Sequence, residues 1–104
     1  LDSAQRRVVG LDEIVHQKTR LAILSMLGDA EEVSFVFIRD GLGLTDGNLG
    51  RHLDVLIGAG CIEVHREYTG RRTRSWIRIT DSGIDKLRDE IEVLRALLDV
   101  LDGR

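Results

Sequence analysis

The chain has no proline, one cysteine (Cys61) and only four aromatic residues, Phe35, Phe37, Tyr68 and Trp76. A lone cysteine excludes an internal disulfide framework and any multi-cysteine metal site, and beside Ile62 it reads as a small buried hydrophobe. Without proline, element boundaries have to be marked by glycines and capping side chains. No apolar run approaches the roughly 20 residues that span a bilayer, so no membrane partner is expected. Leu1-Asp2-Ser3-Ala4-Gln5 lacks the charged-then-apolar layout of a secretory signal, and together with the cysteine usage this points to the cytoplasm. His16, His52 and His65 do not have the spacing of a zinc site, and no glycine string forms a phosphate-binding loop. Neither catalysis nor a cofactor is expected.

What remains is a chain of 104 residues, 42% hydrophobic and 32% charged, the size and composition of one globular domain. Its core is expected over residues 11–80, with a terminal helix over 81–102. The net charge of −3 argues against a polyanionic partner, but the charge is segregated by element. Arg66, Arg71, Arg72, Arg74 and Arg78 face one acid, Glu67, in a single stretch. From Asp81 to Asp102 the balance reverses, with Asp81, Asp85, Asp89, Glu90, Glu92, Asp99 and Asp102 against Lys86, Arg88 and Arg95.

Apolar residues Leu11, Ile14, Val15, Leu21, Leu24 and Leu27 predict a helix over Asp12–Leu27, ended by a left-handed Gly28. Val33-Ser34 reads as a two-residue strand, and Ser34 as the N-cap of a short helix that Arg39-Asp40-Gly41 closes. Gly43-Leu44-Thr45 turns into a further helix with Thr45 as N-cap, Asp46 at the positive end of its dipole, and Leu49, Leu53 and Leu56 on one face. Gly58-Ala59-Gly60 ends that helix. Two helices joined by a glycine-containing turn are a helix-turn-helix signature. After Gly60 the period falls from 3.6 to 2: two β-rich runs flank Thr69-Gly70-Arg71-Arg72, which predicts a hairpin, or wing. Thr80 or Asp81 caps a last helix. Its residues Ile84, Leu87, Ile91, Leu94, Leu98 and Leu101 step by three and four, as a coiled-coil seam does.

Three features carry chemistry. On the helix opened by Thr45, the core leucines leave Gly47, Asn48, Gly50, Arg51 and, less fully, His52 on other faces. Arg51 can fork onto guanine or phosphate and Asn48 can pair with adenine, while glycines at about 1 kcal/mol each allow close backbone approach. The plainer alternative is a surface helix with tolerated glycines. Arg71, Arg72 and Arg74 crowd the hairpin tip, where mutual repulsion gives no folding benefit but phosphate or minor-groove contact would. Tyr68 and Trp76 are expected to pack the sheet against the helices. The terminal seam runs too long for a core of this size and predicts a homodimer through Ile84, Leu87, Ile91, Leu94, Leu98 and Leu101, joined by Leu1, Val8 and Val9.

Several strings resemble a known group. Leu11-x-x-Ile14-Val15-His16-x-x-x-Arg20-Leu21-x-Ile23-Leu24 is similar to the first helix of small winged-helix regulators of the MarR/ArsR type, in particular the short family without a separate effector domain. Leu42-Gly43-Leu44-Thr45-Asp46-Gly47-Asn48-Leu49-Gly50-Arg51-His52-Leu53, then Leu56, Ala59-Gly60 and Ile62, resembles its helix-turn-helix core. Arg78-Ile79-Thr80-Asp81-Ser82-Gly83 resembles its junction of wing and last helix. The resemblance implies a dimeric bacterial transcription factor, with duplex DNA contacted by Thr45, Gly47, Asn48, Arg51, His52, Arg71, Arg72 and Arg74. Lys18 stands where proline is frequent, which would lengthen the first helix. The paired cysteines of the metal-sensing members are absent, so metal sensing is not implied.

The expected fold is therefore mainly α with a small antiparallel β-wing: a winged helix-turn-helix with a long C-terminal dimerisation helix. The expected function is sequence-specific DNA binding as a homodimer. The rival from another class is a protein-interaction module docking a partner through the terminal helix. Nothing in the sequence names an effector.

Overall fold

A computed structural model describes residues 3–103. The elements run α1 (Ser3–Val9), α2 (Lys18–Gly28), β1 (Val33–Ser34), α3 (Phe35–Leu42), α4 (Asp46–Gly58), β2 (Ile62–Thr69), β3 (Arg72–Ile79) and α5 (Asp81–Leu101). The strands form one antiparallel sheet in the order β1-β3-β2. No helix among the described residues is long and apolar enough to cross a membrane.

Three N-caps are those the sequence predicts. The side chains of Ser34, Thr45 and Thr80 accept from the backbone N–H of Phe37, Asn48 and Gly83, which satisfies a donor that each helix start would otherwise leave unpaired. The two-residue strand at Val33-Ser34 is also present; it pairs with Ile77 and Trp76 of β3. α3 runs one residue past Gly41, to Leu42, and the left-handed C-cap is Gly43 (φ 66°), whose N–H donates to the Arg39 and Asp40 carbonyls.

The first predicted helix is shorter than expected. It starts at Lys18, not Asp12, and Gln17 caps it by accepting from Arg20 N–H at 2.8 Å. Residues 12–17 are turns instead. The Asp12 carboxylate accepts from Ile14 N–H (2.9 Å), and the Asp12 carbonyl accepts from Val15 and His16 N–H. An aspartate that bonds its own backbone offers an alternative to helix, and here it prevails. Lys18 thus occupies the first helical position, the one proline also suits, and lengthens nothing. At the other end Gly28 stays helical and Asp29 is the C-cap with φ −103°, so no left-handed glycine ends α2.

The core draws Val15, Ile23, Leu24 and Leu27 from the α2 region, Ile38 from α3, Leu49, Leu53 and Leu56 from α4, Ile62 and Ile77 from the sheet, and Leu87 from α5. Each such side chain contributes about 1.5–3 kcal/mol on burial. α1, a helix the sequence does not predict, lies against α5 with Ala4 buried. Val8 is half-buried and Val9 exposed, while Leu1 lies outside the described residues.

α5 has two apolar faces, not one seam. Gly83, Leu87, Glu90 and Val93 are buried inside the protomer. Leu87 therefore belongs to the core and is not available at a dimer interface. Ile84 and Leu94 are half-buried, whereas Ile91 (42% exposed), Leu98 (53%) and Leu101 (82%) face outward. Glu90, 1% exposed, meets His16 Nδ1 at 2.5 Å, and Lys86 donates to Asp12 at 3.1 Å. These two pairs hold the turn before α2 against α5.

Candidate nucleic-acid interface

α4 is held by its neighbours at both ends and along its core face. Leu49, Leu53 and Leu56 recur at helical spacing and are buried. Arg39 at the end of α3 donates to Asp40 (2.9 Å) and to Asp46 (2.8 Å), the first residue of α4. The two carboxylates raise the Arg39 pKa further above its already high value. At the far end Cys61 N–H donates to Leu56 carbonyl (2.9 Å), which ties the helix to the start of β2.

Arg20 fixes the middle. Its Nε donates to Ile14 carbonyl at 2.6 Å, Nη2 to Glu13 carbonyl at 3.2 Å and Nη1 to His52 Nδ1 at 3.1 Å. A guanidinium only donates, so His52 accepts at Nδ1 and keeps its proton on Nε2, as a neutral imidazole. Burial first, then the charges of Arg20 and Arg51, lowers the His52 pKa below its ordinary 6.5. The folded imidazole therefore takes up its proton less readily than the unfolded one. Stability from this contact is present above pH 6.5 and is lost as pH falls through the lowered folded value. Thermal melts of the wild type and His52→Gln between pH 5 and 8 are expected to converge as the pH drops; curves that stay parallel would refute the contact.

The outward face of α4 carries Gly47 and Arg51, both exposed, with Gly50 and Asn48 half-buried. A Cβ built on Gly47 or Gly50 meets nothing within 4 Å, so packing inside the protomer does not demand a glycine at either position. Thr45 is exposed, and its hydroxyl oxygen accepts from Asn48 N–H at 3.1 Å while its own hydrogen stays available to donate. Asn48 is less open than the sequence suggested. Its Oδ1 is buried without a partner, so a bidentate grip on adenine requires the amide to rotate outward.

The hairpin turns through Gly70 and Arg71, between the paired Thr69 and Arg72. Gly70 (φ 62°) takes the first of the two turn positions, where a side chain would be strained. Arg66, Arg71, Arg72 and Arg74 are exposed, and no ion pair is seen for them among the described residues. Arg78 differs, since it is bound to Glu63 through Nε (2.9 Å) and Nη2 (2.7 Å). Arg74 sits 5.7 Å from the centre of the Trp76 ring.

Neither aromatic of the hairpin seals the sheet onto the helices. Ile77 and Ile79 of β3 and Ile62 and Val64 of β2 fix which face is inward, and alternation then places Trp76 on the opposite face with Arg72, Arg74 and Arg78. Tyr68 is on the inward face but beyond the core, 72% exposed. Arg20 and Arg39 position the helix without facing outward, and nothing in their local sequence distinguishes them from surface arginines.

A family model described as a winged helix DNA-binding domain matches residues 19–98. The chain belongs to the winged helix DNA-binding domain family. An uncharacterized protein of Methanocaldococcus jannaschii is 34% identical over 71 residues, which cover 68% of this chain and 77% of that protein. A solved transcriptional regulator homologue from Pyrococcus horikoshii OT3 superposes with a TM-score of 0.87 at 28% identity, over 97% of this chain and 99% of that one. Two further structures share the winged helix fold expected from the MarR/ArsR resemblance. A homodimeric winged helix-turn-helix DNA-binding domain from Mycobacterium bovis has a TM-score of 0.67 at 22% identity, over 98% of this chain and 88% of that one. A MarR-family protein from Porphyromonas gingivalis W83 has a TM-score of 0.66 at 19% identity, over 84% of each chain. In this winged helix, α3 and α4 are the helix-turn-helix and β2–β3 the wing.

Proposed function

We propose that this winged helix domain is a sequence-specific, DNA-binding transcriptional regulator that acts as a homodimer on a short inverted repeat. The observation that carries the reading is the outward face of α4. It presents Arg51 beside glycines that internal packing does not require, next to a hairpin whose Arg66, Arg71, Arg72 and Arg74 have no acidic partner among the described residues. α4 enters the major groove: Arg51 reads a base edge, Asn48 joins it on rotating, and Thr45 and His52 Nε2 donate to flanking phosphates. Arg71, Arg72 and Arg74 add positive charge along the neighbouring backbone and minor groove. The dimer uses the outward face of α5 at Ile84, Ile91, Leu94, Leu98 and Leu101. The homodimeric Mycobacterium bovis domain and the Pyrococcus horikoshii regulator homologue, as described, support both halves of the reading.

The direct test is binding to duplex from upstream of the protein's own gene and to random duplex, across a salt series. Arg71→Ala is expected to weaken binding to every sequence alike and to reduce the slope of log K against log salt by about 0.9. Arg51→Ala is expected to reduce the preference for one sequence, by about 1–3 kcal/mol at the affected base pair. Absence of duplex binding at low salt would sink the proposal.

The glycines give a second test with opposite signs. Gly47→Ala and Gly50→Ala are each expected to raise stability toward denaturant by about 0.5–1 kcal/mol, because alanine is the better helix former and its methyl meets open space. Each is also expected to weaken duplex binding, as the methyl holds the backbone off the phosphates. Stabilisation with unchanged affinity would remove the glycines from the interface.

A further inference from the structure

The register of the hairpin separates its cations into two groups that the sequence treats as one. Ile62↔Ile79 and Val64↔Ile77 are opposite pairs on the face that packs on the helices. Residues directly opposite share a face and successive residues alternate, so Arg66↔Ser75 and Tyr68↔Thr73 continue that face. Glu67↔Arg74 and Thr69↔Arg72 lie on the other side, with Trp76. Along β2 the helix-side face is buried at Ile62, half-buried at Val64 and exposed at Arg66 and Tyr68. The core ends at Val64, and the next two positions overhang it.

The overhang decides what these side chains meet. α4 packs against β2, with Leu49, Leu53 and Leu56 in the core that the sheet's inward face covers and Arg51 exposed. A body resting on the outer face of α4 therefore reaches the projecting hairpin on its helix-side face. That face offers a cation, Arg66, without an acidic partner among the described residues, and a phenol that is 72% exposed. A ring 72% exposed contributes little of its apolar area to folding. The sugar–phosphate wall of a duplex groove suits the pair: the ring covers deoxyribose carbons, the hydroxyl donates to a phosphate oxygen, and the guanidinium binds the next phosphate.

We infer that Tyr68 and Arg66, on the helix-side face of the wing, form its direct contact with the duplex backbone, while Arg72 and Arg74 on the opposite face act at longer range. This rests on the DNA-binding reading above and extends it. The test is binding of a duplex that the unaltered protein binds, over a salt series, with Tyr68→Ala, Tyr68→Phe, Arg66→Gln and Arg74→Gln. Tyr68→Ala is expected to weaken binding about tenfold with the salt slope unchanged, because no charge is removed. Tyr68→Phe, keeping the ring, falls between it and wild type. Arg66→Gln is expected to reduce the slope by about 0.9, and Arg74→Gln by clearly less. Wild-type affinity in Tyr68→Ala, or a larger loss in Arg74→Gln than in Arg66→Gln, would overturn the inference while leaving the DNA-binding reading standing. No binding by the unaltered protein would remove that reading and the inference with it. Unchanged melting temperatures are expected for all four variants, since every altered side chain is exposed; an affinity loss accompanied by a fallen melting temperature counts against a direct contact.

Discussion

Gly83→Ala is expected to lower the stability of the domain by about 3 kcal/mol and its melting temperature by more than about 10 °C. Gly83 is in the first turn of α5, where the chain leaves the wing. A Cβ there would run into the carbonyl oxygen of Cys61 and lie 2.8 Å from Ile79 Cγ1. Neither neighbour can yield cheaply. The Cys61 carbonyl already accepts from Thr80 N–H at 2.9 Å, and the Thr80 hydroxyl donates to Gly60 carbonyl at 2.6 Å while its oxygen accepts from Gly83 N–H at 3.0 Å. Moving α5 outward to admit a methyl would break this set and pull Leu87 from the core. Denaturant titration by circular dichroism measures the effect; a loss below about 1 kcal/mol would show that the junction relaxes freely.

Leu98→Asp is expected to halve the mass seen by sedimentation while leaving the melting curve of the protomer nearly intact. It is also expected to reduce duplex affinity by about 100-fold or more. The first effect follows from placement: Leu98 is 53% exposed in the protomer, so an aspartate there is solvated unless a second copy covers it. The second follows from linkage, since two recognition helices held together bind an inverted repeat with a high effective concentration for the second half-site. Leu87→Asp is the informative contrast. Leu87 is part of the protomer's own core, so that substitution should unfold the domain and reveal nothing about assembly. An unchanged mass for Leu98→Asp would remove the outward face of α5 from the interface.

Both predictions depend on details of α5 that its periodicity does not contain. Steps of three and four along Ile84, Leu87, Ile91, Leu94, Leu98 and Leu101 describe an apolar stripe. They do not say how much of that stripe the same chain covers. α1 and the turn before α2 cover the side with Glu90 and Val93, and the end of α2 lies against Leu87; the seven residues of α1 carry too short a pattern to be distinctive as a partner. The same turn shortens α2, whose apolar spacing extends back through Ile14 and Val15. A local carboxylate bond at Asp12 and two pairs to the sequence-distant α5 favoured turns over helix there.

The amino-acid sequence by itself determined every element except α1 and where most of them begin. Caps, core periodicities and the change from a period near 3.6 to one of 2 are short-range consequences of hydrogen-bonding and packing geometry, and they place Ser34, Thr45 and Thr80 at helix starts and the glycine turn in the hairpin. It also determined the division between an arginine-rich wing and an acidic last helix. Only the tertiary structure decided which way the functional side chains look. Whether Asn48 is open, whether His52 is charged, which side of the hairpin carries Tyr68 and which carries Arg74, and which leucines of α5 are left uncovered all depend on residues distant in the chain. Burial and electrostatic environment are sums over spatial neighbours, and sequence spacing alone does not specify those neighbours.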